Sequence, residues 1–559
     1  MWLAGCECGL GLFAFVGFSR FQYFEFQKGA SDEEKFVRTE KKVYFCTRKL
    51  IVNDMKKICL SLLALLWLTA GAQVKLDCAR QVYAVPGERF MQKIRTTEKD
   101  ARVEVFGLPE GLKWNEQRQL VDGVVEVEGE YMYVVRMCHG NNRVEDTVRL
   151  LAKHGLPMAK PFMGLLTWNV FEGEISDEKV RMLADAMADL GLADAGYRYL
   201  CLDDLWAEGE RDAEGNLQWN AQKFPDGLKP LSDYVHAKGL KFGVYSDGGS
   251  RTCSGGQPGS LGFEEQDAKC FVDWGFDLLK YDYCNNVGAG QEVAKATYRA
   301  MGEALGKVAP KDFVYYLCEW GERAPWTWGA EVGGQCWRAT ADTRDCWENA
   351  TYKGGVLDNI KVMTKIWQYS GVNRFNDADM MMCGLHGMGK SSNAGTNGEG
   401  MSQHEYRTQM ILWCMWSSPL TLCFDVTTLY DGKSRCNSKV KNWDYDLDLP
   451  MITNADLIAL DQDALGMAAE TVVMDDSKLL LMKDLSNGDV AISATNLLDE
   501  AAEVEVRLKD FAALRHDVRY VSKDLVTGDE ELGVSATKDT YAVILPAHGS
   551  IVWRFSEMK

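Results

Sequence analysis

The stretch Phe276-Asp277-Leu278-Leu279-Lys280-Tyr281-Asp282-Tyr283-Cys284 is an apolar run of strand length that delivers a lysine and a carboxylate at its end. The arrangement returns in Trp337-Arg338-Ala339-Thr340-Ala341-Asp342, and an acidic pair closes Tyr199-Leu200-Cys201-Leu202-Asp203-Asp204. Each segment alone is weak evidence. Carboxylates at the C-terminal ends of several strands, each strand followed by a helical pattern, describe the top of a (β/α) barrel.

The neighbouring segments extend the pattern. Met163 to Trp168 reads as a first strand, and Val180, Leu183, Ala184, Met187 and Leu190 follow at helical spacing behind Ser176. Further strands are expected at Tyr199–Leu202, Lys241–Tyr245, Asp277–Tyr281, Phe313–Leu317, Trp337–Thr340, Val372–Phe375 and Leu420–Phe424. Between them lie helices such as Leu231–Lys238, stopped by Gly239, and Glu405–Trp416, started by the capping box of Ser402 and Glu405. The expectation is an α/β fold: a closed (β/α)8 TIM barrel over 157–466.

Both flanks alternate apolar and polar residues instead. From 73 to 156, Val103-Glu104-Val105-Phe106 and Val124-Val125-Glu126-Val127-Glu128 predict an N-terminal β-sandwich. Gly107-Leu108-Pro109-Glu110-Gly111-Leu112-Lys113-Trp114, then Gly123 and Gly129-Glu130-Tyr131, resemble the immunoglobulin-like modules of exported bacterial carbohydrate enzymes. Cys78 and Cys138 either bridge its two sheets or remain buried thiols. From 467 to 559 a C-terminal antiparallel β-sandwich is expected, with a hairpin at Asn487-Gly488 and one more strand within Ile544–Phe555.

Composition narrows the class. A chain of 559 residues with 26% charged content is globular, and its net charge of -19 argues against nucleic acid as a partner. Met55-Lys56-Lys57, the apolar run Ile58–Leu68 and Ala70-Gly71-Ala72 form a complete secretory signal over 55–72, so Met55 is read as the true start and 1–54 as an upstream artefact. The apolar core is shorter than the ~20 residues of a membrane span. Export to a periplasmic, extracellular or cell-surface location, with no span left after cleavage, also accounts for the 17 cysteines.

Cleaving a glycosidic bond needs one carboxyl group to attack or activate water and another to protonate the leaving oxygen. Asp282 and Asp342 end separate strands, and Lys280 shares the face of Asp282, where its ammonium is expected to keep a nucleophile ionised. An ordinary Lys280–Asp282 barrel salt bridge and a surface Arg338–Asp342 pair are the structural alternatives. Asp203 and Asp204 suit sugar hydroxyls, and the faces of Trp168 and Trp320 suit a pyranose. Glu319-Trp320 after Val314–Cys318, and Asp377-Ala378-Asp379-Met380 after Arg374-Phe375-Asn376, repeat the theme. None of the 7 histidines stands at a predicted strand end, so neither a metal nor any other cofactor is expected.

These motifs, with Gly243-Val244-Tyr245-Ser246-Asp247, Thr252-Cys253 and Cys318-Glu319-Trp320, make the region from about Met163 to Val426 resemble the α-galactosidases of glycoside hydrolase family 27, the melibiase family. The following sandwich is similar to that family's C-terminal domain. The resemblance implies Asp282 as nucleophile and Asp342 as general acid/base of a retaining exo-glycosidase, with a terminal α-D-galactoside as substrate. It implies that Asp203, Asp204 and Lys280 hold the ring hydroxyls, that Trp168, Tyr245, Glu319, Arg338 and Asp379 complete the pocket, and that Cys253 pairs with Cys284. Leu165 and Leu205 depart from the family, which usually has tryptophan and cysteine there.

The acid is expected to owe a raised pKa to the nearby Asp282 charge. Bulky Gly321-Glu322-Arg323 and Ala324-Pro325-Trp326 favour a plain 2-hydroxyl over an N-acetyl group. The rivals are α-N-acetylgalactosaminide, β-L-arabinopyranoside or isomaltose-type substrates, a metal-dependent barrel hydrolase, and a non-catalytic carbohydrate-binding protein.

Overall fold

The computed structural model describes residues 76–559 apart from 97, 99, 287, 289, 350–353, 391–399 and 432–446. The signal sequence at 55–72 and the alternative start at Met55 lie outside the described residues. Strands β1 (Met163–Leu166), β2 (Tyr199–Leu202), β3 (Lys241–Asp247), β4 (Leu278–Asp282), β5 (Val314–Leu317), β6 (Cys336–Arg338), β7 (Phe375–Asp377) and β8 (Leu420–Leu422) form one 8-stranded sheet. All pairings run parallel in chain order, and β8 returns to pair with β1. The remaining gap is bridged just past β7, where the Met381 N–H donates to the Thr421 carbonyl at 2.8 Å.

Helices cover the outer face, so the strands are buried on both sides and read as near-continuous apolar runs. They are α1 (Asp177–Asp189), α2 (Leu228–Ala237), α3 (Glu264–Asp273), α4 (Gln291–Val308), α5 (Val356–Ile366) and α6 (Gln403–Met415). Ser176 caps α1 by accepting from the Lys179 N–H at 3.4 Å. Ser402 and Glu405 cap α6 reciprocally at 3.3 and 2.6 Å. The connection from β5 to β6 is built of 3₁₀ turns, Pro325–Thr327 and Gly329–Val332, instead of an α-helix.

Several expected boundaries move. The first strand stops at Leu166, and Trp168 opens a helical turn, Trp168–Phe171. The seventh starts at Phe375 instead of Val372, because Asn373 adopts a positive φ of 57° and Gly371 pairs back to Arg374. The fourth runs on to include Asp282, so the carboxylate belongs to the ladder itself.

Before the barrel, a four-stranded and a three-stranded sheet face each other around Val82, Phe90, Val103, Val121, Val135 and Leu150. The alternation expected over 124–128 is displaced: the strand is Leu120–Val124. Gly123 sits so close to Gly111 that an added Cβ would lie 2.0 Å from its carbonyl oxygen. Cys78 and Cys138 are both free thiols, the first buried and the second half-buried, so no disulfide joins these sheets.

After the barrel, a six-stranded antiparallel sheet packs against the pair Ala502–Arg507 and Thr540–Leu545. The single strand expected within Ile544–Phe555 is two, separated by a turn in which His548 has a φ of 56°. That turn ties the sandwich to the barrel, since Thr408 Oγ1 on α6 donates to the His548 carbonyl at 2.6 Å. The His548 ring lies 2.6 Å from Glu405 and stacks on Trp347 at 4.5 Å.

Candidate active site

Strand register assembles the first half of the site. Tyr245 stands opposite Lys280 and Asp247 opposite Asp282, so alternate residues of β3 and β4 present these groups together. Lys280 is buried and its ammonium lies 2.7 Å from Asp203 Oδ2 and 5.5 Å from the centre of the Tyr245 ring. The salt bridge made by Lys280 is therefore with Asp203 on β2's end. Burial opposes this ammonium, but the Asp203 charge outweighs it and raises its pKa.

Asp204 turns along the rim, accepting from the Leu205 and Ser254 N–H groups at 2.7 and 3.0 Å. Burial raises its pKa in spite of these bonds. Leu205, directly after the acidic pair, adopts a left-handed φ of 71°. The Tyr245 hydroxyl accepts from the Cys253 N–H at 3.3 Å.

Asp282 is 5% exposed. Burial pushes its pKa well up, the charges of Asp247 and Asp342 add to that, and Lys280 opposes it. This reverses the expectation that the lysine would dominate, because the ammonium is already neutralised by Asp203. Asp247, which the sequence reading passed over, is fully buried and is raised by burial to about 6. Cys253 and Cys284 form a disulfide. Their sulfurs lie within 4.8 Å of donor oxygens of Asp247 and Asp282, a spacing suited to a metal ion, but the sulfur–sulfur bond removes both thiolates as ligands.

The second half hangs on Arg338, whose side chain is 1% exposed. Its guanidinium reaches Asp342 Oδ1 at 2.9 Å and Asp379 Oδ1 at 2.8 Å. Asp379 also accepts from the Thr343 N–H at 2.5 Å, which fastens the loop carrying Asp342 to the end of β7. Asp377 accepts from the Asp379 N–H at 2.8 Å and from the Tyr316 hydroxyl, and burial raises it to about 6.

The Asp342 side chain is 59% exposed. Burial of its surroundings raises its pKa, but the Arg338 guanidinium wins and holds it below the ordinary carboxylate range. The raised acid expected from the Asp282 charge is thus not found. An arginine in contact outweighs a more distant carboxylate.

Trp168 is half-buried at the end of β1, and Trp320 half-buried past β5 with a φ of 59°. Glu319 lies just past β5. It is fully buried, and its oxygens accept from the Arg323 backbone at 3.0 Å and the Arg323 guanidinium at 2.7 Å. Arg323 folds inward over the Tyr283 ring at 5.0 Å. The tight turn behind this needs Gly321, where a Cβ would lie 2.1 Å from the Ala339 carbonyl oxygen.

Residues 160–442 match the family model described as alpha galactosidase A, and 475–555 the model of the alpha galactosidase C-terminal beta sandwich domain. The α-galactosidase of Cyamopsis tetragonoloba is 37% identical over 401 residues, 70% of this chain and 87% of that protein. α-Galactosidase I of Mortierella vinacea shares the fold with a TM-score of 0.62 at 29% identity, over 71% of this chain and 97% of its own. A Bacteroides fragilis structure, provisionally described as an α-galactosidase/melibiase, reaches a TM-score of 0.65 at 32% identity and covers 86% of this chain and 98% of its own. With its acids carried on successive strand ends of a closed barrel, the chain belongs to the α-galactosidase family of glycoside hydrolases, family 27.

Proposed function

We propose that the enzyme hydrolyses terminal α-D-galactosyl residues by double displacement, with Asp282 as nucleophile and Asp342 as general acid/base. One observation supports the assignment: Asp282 ends β4 and Arg338 ends β6 at the same C-terminal rim of the barrel, and Arg338 holds Asp342 at 2.9 Å. Asp282 attacks the anomeric carbon while Asp342 protonates the departing oxygen. Asp342 then takes a proton from water, which attacks the same carbon and releases the sugar with retained configuration.

The electrostatics fit a pair that shares one proton. Arg338 holds the Asp342 pKa low and favours its ionised form. A sugar filling the mouth expels water from Asp342, which favours its protonated form, while Asp282 loses its proton to become the nucleophile. Once Asp282 is esterified its charge is gone, and Asp342 reverts to a base.

Asp203, Asp204 and Lys280 hold ring hydroxyls, with Trp168, Tyr245, Arg338 and Asp379 completing the wall. The inward fold of Arg323 onto Glu319 fills the space after β5, which favours a plain 2-hydroxyl over an N-acetyl group. Among the described residues no helix is long and apolar enough to cross a membrane. The Cys253–Cys284 bridge suits the oxidising compartment to which an exported enzyme is delivered.

Trapping with an activated fluorogalactosyl fluoride tests the assignment: the label is expected on the peptide containing Asp282. A label on another carboxylate, or an inert protein across nitrophenyl galactosides, defeats it.

A further inference from the structure

We propose that Asp247 is a positioning residue for this reaction: it clamps the rims of β3 and β4 around Asp282 and, through its own charge, strengthens that nucleophile. The proposal rests on the reading of Asp282 as nucleophile.

The geometry is specific. Asp247 and Asp282 are register partners on adjacent parallel strands, and the Asp247 side chain is fully buried. Its Oδ1 accepts from the Gly249 N–H at 2.6 Å and its Oδ2 from the Cys284 N–H at 2.8 Å, so one carboxylate binds the loop after β3 to the loop after β4. The Gly248 N–H donates to the Asp282 carbonyl at 2.9 Å, and the Ser250 N–H to the Asn285 carbonyl at 3.2 Å. The loops pack so closely that a Cβ on Gly249 would lie 2.1 Å from the Asn285 carbonyl oxygen. The Cys253–Cys284 disulfide closes the same rim. The bonds between the two loops end on the backbone of Asp282 or of Cys284 and Asn285 just after it.

The charge completes the argument. Asp282 is faced by Lys280 on its own strand, Asp247 and Tyr245 on β3, Cys318 past β5, Tyr298 on α4 and Asp342 after β6. Lys280 is committed to Asp203 and Asp342 to Arg338. Among the described residues Asp247 has two backbone amides and no cation on its oxygens, and of the charged groups around Asp282 it acts on that carboxyl most strongly. A carboxylate held against a like charge is a stronger base and nucleophile than one paired to a cation.

The test is the pH profile of kcat/KM of the full chain on 4-nitrophenyl α-D-galactoside, for wild type and Asp247→Asn. The acid limb is expected to move down by about one pH unit in the variant. The value of kcat should fall about 10- to 100-fold with KM little changed, as the nucleophile loosens. An unmoved limb in a folded variant overturns the proposal, because a merely structural role lowers activity without shifting titration. Should Asp247→Asn fail to fold, Asp247→Glu serves: with the charge kept and the two amide bonds disturbed, the acid limb is expected to stay near that of wild type while kcat falls, and a limb that drops by about one pH unit overturns the proposal. A fluorogalactosyl label found away from Asp282 defeats the functional reading instead, whereas a label at Asp282 with an unmoved limb in Asp247→Asn defeats only this inference.

Discussion

The two halves of the site are built on different principles. Asp282 is an integral residue of β4, buried, and located by hydrogen-bonded register with β3. Asp342 stands on a loop beyond β6, well exposed, and is located by a guanidinium. In the proposed roles, a nucleophile must meet one carbon along one line, which a strand end supplies. The acid must exchange protons with both a leaving group and water, which demands access to solvent. Burial thus raises one carboxyl and an arginine lowers the other, the reverse of what the proposed roles alone suggest.

The largest effect should separate the halves outright. Asp282→Ala is expected to lose on the order of 10⁴-fold or more in kcat/KM on every galactoside, with the fold intact by circular dichroism. Asp342→Ala should lose about 10²- to 10⁴-fold on alkyl galactosides but far less in the first step with nitrophenyl leaving groups, which need little protonation. Equal losses on both substrates would erase the distinction between attacking and proton-donating halves.

Arg338→Ala comes next. It strands Asp379, which is 1% exposed, without its cation, at a cost of about 3–5 kcal/mol in urea unfolding. It should also raise the pKa of Asp342, since the guanidinium that lowers it is gone. A stability loss below 1 kcal/mol would mean that the loop is held by something else.

A smaller effect probes the rigid half. Gly249→Ala forces a Cβ to 2.1 Å from a backbone oxygen, whereas Gly255→Ala meets nothing within 4 Å and carries only the strain of its φ of 73°. The first should cost about 1–3 kcal/mol and the second about 1 kcal/mol. Similar melting temperatures for the two would contradict the close packing of the β3 and β4 loops.

The smallest concerns the loop half. Asp345 accepts from the Tyr406 hydroxyl at 2.6 Å and the Gly387 N–H at 2.7 Å, and burial raises its pKa to about 6. A folded-state pKa raised above the ordinary value of 3.8 gives stability that is full below 3.8 and lost as pH rises through about 6. Thermal melts from about pH 4 to 7 should therefore show wild type losing stability relative to Asp345→Asn. A parallel pH dependence would show that this carboxyl does not titrate with folding.

The barrel was legible because strands covered on both faces must be apolar throughout, so runs such as Leu278-Leu279 and Tyr315-Tyr316-Leu317 stand out between amphipathic helices. Strand-end acids were legible for the same reason: a charge directly after such a run has nowhere to go but the rim. Asp247, the last residue of β3, obeys the same rule. The ends of β1 and β7 were misplaced where backbone geometry, a helical turn at Trp168 and a left-handed Asn373, interrupted an apolar run that sequence periodicity would have continued.

Other features depended on partners far apart in the chain. That Lys280 serves Asp203, that Glu319 is consumed by Arg323, and that Arg338 divides itself between Asp342 and Asp379 are choices among several nearby opposite charges. The sequence by itself determined the alternation of strands and helices and the residues placed at the strand ends, because hydrophobic periodicity and chain direction are local properties. Only the tertiary structure decided which charges pair, which carboxyl is buried and which titrates high. Electrostatic energy depends on distance and desolvation, and neither exists until the barrel has closed.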